Sequence, residues 1–210
     1  MLIARRDLVV GAAAVAGLSA ASSAKLVPTS SQDLGPFYPI LRPADSDADL
    51  TQVKGRPGKA AGQPINVVGR IVDLHGNPVR GARIDLWQAN AVGRYDHPGD
   101  RANSAALDPY FQGFGRLVAD NQGEFRFRSI KPAAYNTPIG MRTPHIHFSI
   151  DGRNERLVTQ MYFPGESLND GDFLLKAAAR RETLVASPVA RTAGDPQALA
   201  FHWTIVLANG

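Results

Sequence analysis

The segment ALAFHWTIVL near the end of the chain alternates with a period of two. Phe201, Trp203, Ile205 and Leu207 fall on one side, His202 and Thr204 on the other. Only an extended strand gathers such positions on one face; a helix would scatter them around its axis. INVVGRIVDL, ARIDLWQAN, PHIHFSI and LVTQMYF carry the same strand-like texture, separated by turns that draw on 20 glycines and 15 prolines. GRLVAD, the turn NQG and EFRFRSI read as a hairpin, with Phe125 and Phe127 on one face and Arg126 and Arg128 on the other. Only DGDFLLKAAARRETL has a helical pattern. The expectation is an all-β fold, a mostly antiparallel β-sandwich with long loops and little helix.

The sandwich is expected to occupy residues 63–210 as one domain. Residues 25–62 lack sustained periodicity and read as an irregular N-terminal arm holding LGPFYPILRP, the acidic DSDAD and GRPGKAAGQ. Residues 1–24 have the layout of a signal peptide: Arg5 and Arg6, an apolar run from Leu8 to Leu18, then small residues. The paired arginines point to the twin-arginine route, cleavage after Ala24, and a periplasmic or exported protein with no stable membrane anchor. Without a working leader the protein would be cytoplasmic. The net charge of +4 is scattered, so nucleic acid is not implied, and the mild positive field suits a small anionic substrate. With no cysteine, any metal must be held by nitrogen and oxygen donors.

Two of the five histidines stand one residue apart in RTPHIHFSID. In a strand His145 and His147 face one way, Ile146 and Phe148 the other. The pair reads equally as an ordinary strand face or as metal ligands, and its spacing names no metal. Zinc would need further donors from Asp, Glu or another His. Tyr95, in WQANAVGRYDHPGD, and Tyr135, in PAAYNTPIGMRTP, lie off any periodic core face. The Pro and Gly content around Tyr135 argues against regular structure there. Taken singly, each tyrosine reads as a half-buried cover for the sandwich.

WQANAVGRY, DPYFQGFGR, GEFRFRSIKPAAY, RTPHIHFSI and LVTQMYFPG occur in that order. Together they resemble the intradiol ring-cleavage dioxygenases, most of all the protocatechuate 3,4-dioxygenase beta-chain type, over roughly residues 33–175. The resemblance implies a β-sandwich with long active-site loops and a non-haem Fe(III) held by Tyr95, Tyr135, His145 and His147. A hard ferric ion suits phenolate donors. It implies a catecholic substrate bound as a chelating dianion that displaces Tyr135. Reaction with O₂ would then cleave the ring between its hydroxylated carbons to a cis,cis-muconate-type dicarboxylate, with protocatechuate the favoured ring. Arg142 matches the family's active-site arginine and Gln160 a pocket glutamine. A homo-oligomer or an assembly with a related partner chain is also implied.

Arg142 has the opposite strand parity to His145, so the segment through Pro144 must bend if both reach one site. His97 reads as a surface residue or part of the pocket mouth, Tyr38 as either a pocket cover or a packing anchor, and Tyr110 and Tyr162 as structural. Two other classes compete: an exported, non-catalytic β-sandwich binding module, and a zinc-dependent hydrolase built on His145 and His147. The second requires a nearby carboxylate ligand.

Overall fold

The computed structural model describes residues 26–210; the leader expected over residues 1–24 lies outside them. In chain order the strands are β1 (Pro64–Asp73), β2 (Arg83–Trp87), β3 (Phe114–Val118), β4 (Glu124–Ile130), β5 (Tyr135–Thr137), β6 (Gly140–Arg142), β7 (His145–Asp151), β8 (Arg156–Tyr162), β9 (Ser187–Val189) and β10 (Leu199–Leu207). One sheet has the order β4-β1-β10-β9, the other β3-β2-β7-β8, and β5 pairs with β6 in a separate ribbon. Every pairing is antiparallel except that of β1 with β10. The fold is the expected β-sandwich.

Its core lies between the two sheets. Phe201, Trp203, Ile205 and Leu207 of β10 meet Phe125 and Phe127 of β4 and Ile146, Phe148 and Ile150 of β7. Each large side chain so buried contributes roughly 1.5–3 kcal/mol. The arm keeps its irregular backbone but is part of the fold: Leu50 is fully buried in this core.

Two elements depart from expectation. β3 and β4 are joined by a tight turn, in which Asp120 Oδ1 accepts from the backbone N–H of Gln122 and Glu124. They are nevertheless not a hairpin, because β3 pairs with β2 and β4 with β1, in opposite sheets. The turn residues set the reversal; the need to bury Phe125 and Phe127 against Phe148 sets the pairing. The helical segment is also shorter than its pattern. Helix α1 spans Phe173–Ala177, and a separate 3₁₀ turn spans Arg181–Thr183. Between them the chain extends at Ala178, and the Arg180 N–H donates to Ser30 Oγ of the arm.

Candidate metal centre

β7 is buried on both faces. Ile146, Phe148 and Ile150 face the core, while His145 and His147, 2% and 1% exposed, face outward. That outer face is roofed by the arm. Gln32 N–H donates to Val158 O (2.8 Å), Gln160 Nε2 to Asp33 O (3.2 Å) and Tyr38 Oη to Asp85 Oδ2 (2.7 Å). Antiparallel register sets the neighbours of the histidines: Trp87 and Gln160 lie opposite His147, and Tyr162 opposite His145. The Trp87 ring stacks on His147 at 4.9 Å and 11°.

His145 Nδ1 lies 2.6 Å from Thr143 O, which assigns the proton to Nδ1 and leaves a lone pair on Nε2. His145 Nε2 is 3.2 Å from His147 Nε2 and 3.4 Å from Tyr135 Oη. Tyr95 completes the group. Its ring centroid is 5.4 Å from Tyr135 and 6.2 Å from His147; Tyr135 is 5.6 Å from His145, and the histidines are 4.8 Å apart. The four rings form a closed circuit.

Three loop features bring the tyrosines here. Asn90 Oδ1 accepts from the N–H of Val92 and Arg94, closing the turn after β2, and Asp100 Oδ2 accepts from Tyr95 N–H. Gly93, at φ +77°, passes so close to the second loop that a Cβ there would lie 2.6 Å from Ala134 O. Tyr135 opens β5 directly opposite Arg142 of β6, so its segment is a regular ribbon and not the irregular loop its composition predicts. Cross-strand pairing of Tyr135 through Thr137 with Gly140 through Arg142 overrides the local Pro and Gly signal.

Burial holds all four groups in their uncharged forms. It lowers His145 to about 3 and His147 well below the ordinary histidine value, with Arg142 adding to both shifts. It raises Tyr95 and Tyr135 above the ordinary phenol value. Tyr95 Oη and His147 Nδ1 are buried without a hydrogen-bond partner among the described residues. Two neutral imidazoles and two phenols grouped beside the cavity fit a hard cation that would draw the protons from the phenols. Among the described residues no group of three or more His, Cys, Asp or Glu is placed to hold a metal. The carboxylate that a zinc hydrolase would need is therefore not beside the histidine pair.

Arg142 lies beside these rings. The chain bends at Pro144, between β6 and β7, which resolves the parity conflict with His145. Arg142 Nε donates to Asp172 Oδ2 (2.8 Å), and Nη2 to Gln160 Oε1 (2.6 Å) and Tyr162 Oη (3.1 Å). Burial alone would lower the guanidinium pKa; Tyr162 and Asp172 outweigh it and leave it raised. Gln160 has both ends of its amide committed, to Arg142 and to the arm, so it positions the arginine and does not line the cavity. Tyr162, expected to be only structural, bridges Arg142, Gln160 and Gln32. Asp172 escaped the sequence reading. An Asp before an apolar run marks a helix N-cap, and its Oδ1 does cap α1; nothing local shows that Oδ2 holds Arg142.

A cavity of about 900 Å³ opens onto Tyr135, Arg142 and His147. Phe37 of the arm walls it and stacks on Tyr95 at 4.4 Å. Tyr38 instead anchors the arm, edge-on to Trp87 at 4.9 Å. His97 caps the 3₁₀ turn Pro98–Asp100 and borders a second cavity, of about 440 Å³.

A β-sandwich with two histidines and two tyrosines grouped beside one cavity, Tyr135 and His147 lining it, defines a class, and comparison with known proteins agrees with it. A dioxygenase family model matches residues 34–209. The chain belongs to the intradiol ring-cleavage dioxygenases. It is 42% identical to the protocatechuate 3,4-dioxygenase beta chain of Burkholderia cepacia, over 84% of this chain and 74% of that one. It is 32% identical to the protocatechuate 3,4-dioxygenase alpha chain of Pseudomonas putida, over 75% and 82%. Among solved structures it is similar to the dioxygenase domain of a dioxygenase carbohydrate-binding protein fusion from Streptomyces sp. SirexAA-E. That match has a TM-score of 0.65 and 26% identity, covering 87% of this chain and 99% of that one.

Proposed function

We propose that the protein uses O₂ to cleave a catecholic ring between its two hydroxylated carbons, at Fe(III) held by Tyr95, Tyr135, His145 and His147. The observation that carries this reading is the closed circuit of those four side chains beside the cavity. Bound there, ferric iron supplies a Lewis acid that a deprotonated catechol can chelate and that activates its ring toward O₂. The similarity to protocatechuate, hydroxyquinol and catechol dioxygenases supports a catecholic ring without fixing its substituent.

The chain's own groups then have distinct tasks. His145 and His147, neutral and held on a rigid strand, would each supply an Nε2 lone pair to a bound cation without adding charge. Tyr135 borders the cavity, whereas Tyr95 sits behind it against Phe37. With iron bound, Tyr135 would be the phenolate that a chelating substrate meets first, and its Oη would be placed to accept a substrate hydroxyl proton, the general-base role. Arg142 is fixed in orientation through Nε and Nη2, and its charge faces the diol end of the cavity, where negative charge develops. The roof of arm residues covers the strand carrying the histidines except where the cavity reaches His147. Its similarity to both an alpha and a beta chain supports a working form that is a homo-oligomer or includes a related partner chain.

The test is turnover of catechols by iron-loaded protein under ¹⁸O₂, read by mass spectrometry. A ring-opened dicarboxylate carrying label from both oxygen atoms is expected. A ring that opens beside the diol, or does not open at all, would refute the reaction.

A further inference from the structure

Part of the cavity lining is apolar and open. Ile139, in the turn of the β5–β6 ribbon, and Met141 of β6 are 74% and 41% exposed, and Val92 on the loop after β2 is 57% exposed. Phe173 of α1 also lines the cavity and lies under the Arg142 guanidinium at 5.4 Å. The charged side chains of the described lining are Asp33, Asp100 and Arg142. Asp100 is tied to Tyr95 N–H, and Arg142 is committed through Nε and Nη2 to Asp172, Gln160 and Tyr162, with its remaining charge assigned above to the diol end. A ring carboxylate seated against Ile139, Met141, Val92 and Phe173 would meet apolar side chains. The rest of the described lining includes the neutral Asn103, Ser104, Asn136 and Thr137 and the exposed Asp33, but no lysine. A charge that gives up part of its hydration to apolar side chains without gaining a partner is disfavoured relative to an apolar group in the same place. At about 900 Å³ the cavity is also near the upper end of the range that encloses drug-sized ligands, far more than one aromatic ring needs.

Building on the reaction proposed above, we infer that the substrate is a catechol bearing a bulky, neutral, apolar substituent, seated against Ile139, Met141, Val92 and Phe173. The diol end is common to all catechols; this wall selects among them. A group of several carbons placed there favours its ring over a carboxylated one by about tenfold or more, since each methylene in an apolar pocket discriminates on that scale.

The test compares 4-tert-butylcatechol with protocatechuate in two ways: kcat/KM with the iron-loaded protein, and calorimetric Kd with the metal-free protein under argon. A tenfold or larger preference for 4-tert-butylcatechol in both is expected. Ile139→Arg, at an exposed position that leaves the core untouched, should shift both ratios toward protocatechuate. Equal or better binding and turnover of protocatechuate by the unmodified chain would overturn the inference, as would unchanged ratios in Ile139→Arg. If neither catechol is cleaved but 4-tert-butylcatechol still binds about tenfold more tightly, the proposed reaction fails while the wall's selectivity stands.

Discussion

His145 Nε2 and His147 Nε2 lie 3.2 Å apart on the outer face of a strand whose other face is core. Between two neutral imidazoles that close, either one Nε2–H donates to the other's lone pair or a cation takes both lone pairs, because facing lone pairs repel. With His145 Nδ1 held by Thr143 O, the strand presents the pair as preformed nitrogen ligands.

Removing members of the ligand set should have unequal effects. His147→Ala should lose iron by well over the roughly 10–100-fold that loss of an outer hydrogen-bond partner causes. Tyr135→Phe should keep part of its iron, change colour and bind catechol more slowly. Iron analysis and stopped-flow absorbance separate the two, and equal iron and equal turnover in both variants would refute the assignment.

Arg142 and Asp172 form an ion pair that is 5% and 0% exposed at the side chains. Asp172→Ala leaves a buried guanidinium without its counter-ion and should destabilise the protein by about 3–5 kcal/mol. Tyr162→Phe removes the hydroxyl that joins Arg142, Gln160 and Gln32, at about 1–3 kcal/mol, and should lower kcat more than it changes KM. Denaturant unfolding and steady-state kinetics measure the two. Similar midpoints for Asp172→Ala and the unmodified protein would contradict this account of the pair.

Gly93 is the point where the loop carrying Tyr95 touches the ribbon carrying Tyr135. Its φ of +77° and the 2.6 Å approach to Ala134 O leave no space for a methyl group. Gly93→Ala should therefore separate the two phenols and weaken iron binding while the sandwich still folds. Gly194→Ala, which meets nothing within 4 Å, serves as the control. The readout is iron content alongside the thermal midpoint.

The metal-free protein should lose stability on mild acidification. His145 is lowered by burial to about 3, so the unfolded chain takes up a proton near 6.5 that the folded chain refuses. Stability is full above about pH 6.5 and declines as pH falls toward 3, by about 2 kcal/mol at pH 5 for this residue alone. Urea unfolding at pH 7.5 and pH 5 measures the loss, and His145→Asn should reduce it.

The strands were legible in the sequence because a period of two is a local signal, and β1, β7, β8 and β10 lie where the alternation puts them. The histidine pair was legible for the same reason: parity alone puts both rings on one face. What joins His145 to Tyr95 and Tyr135 is not local. It depends on an Asn-closed turn, a glycine contact and a two-stranded ribbon, so the sequence disclosed that set only through resemblance to a family. The Arg142–Asp172 pair, which spans β6 and the cap of α1, left no signal of either kind. Pairing across sheets was equally hidden in the turn between β3 and β4, which looks the same whether its strands pair or part.

The most direct measurement is the visible spectrum of the iron-loaded protein, before and after anaerobic addition of a catechol. The account predicts a broad tyrosinate-to-Fe(III) band that shifts when the catechol displaces Tyr135, and a weaker band in Tyr95→Phe. A protein that stays colourless after ferric reconstitution would contradict it.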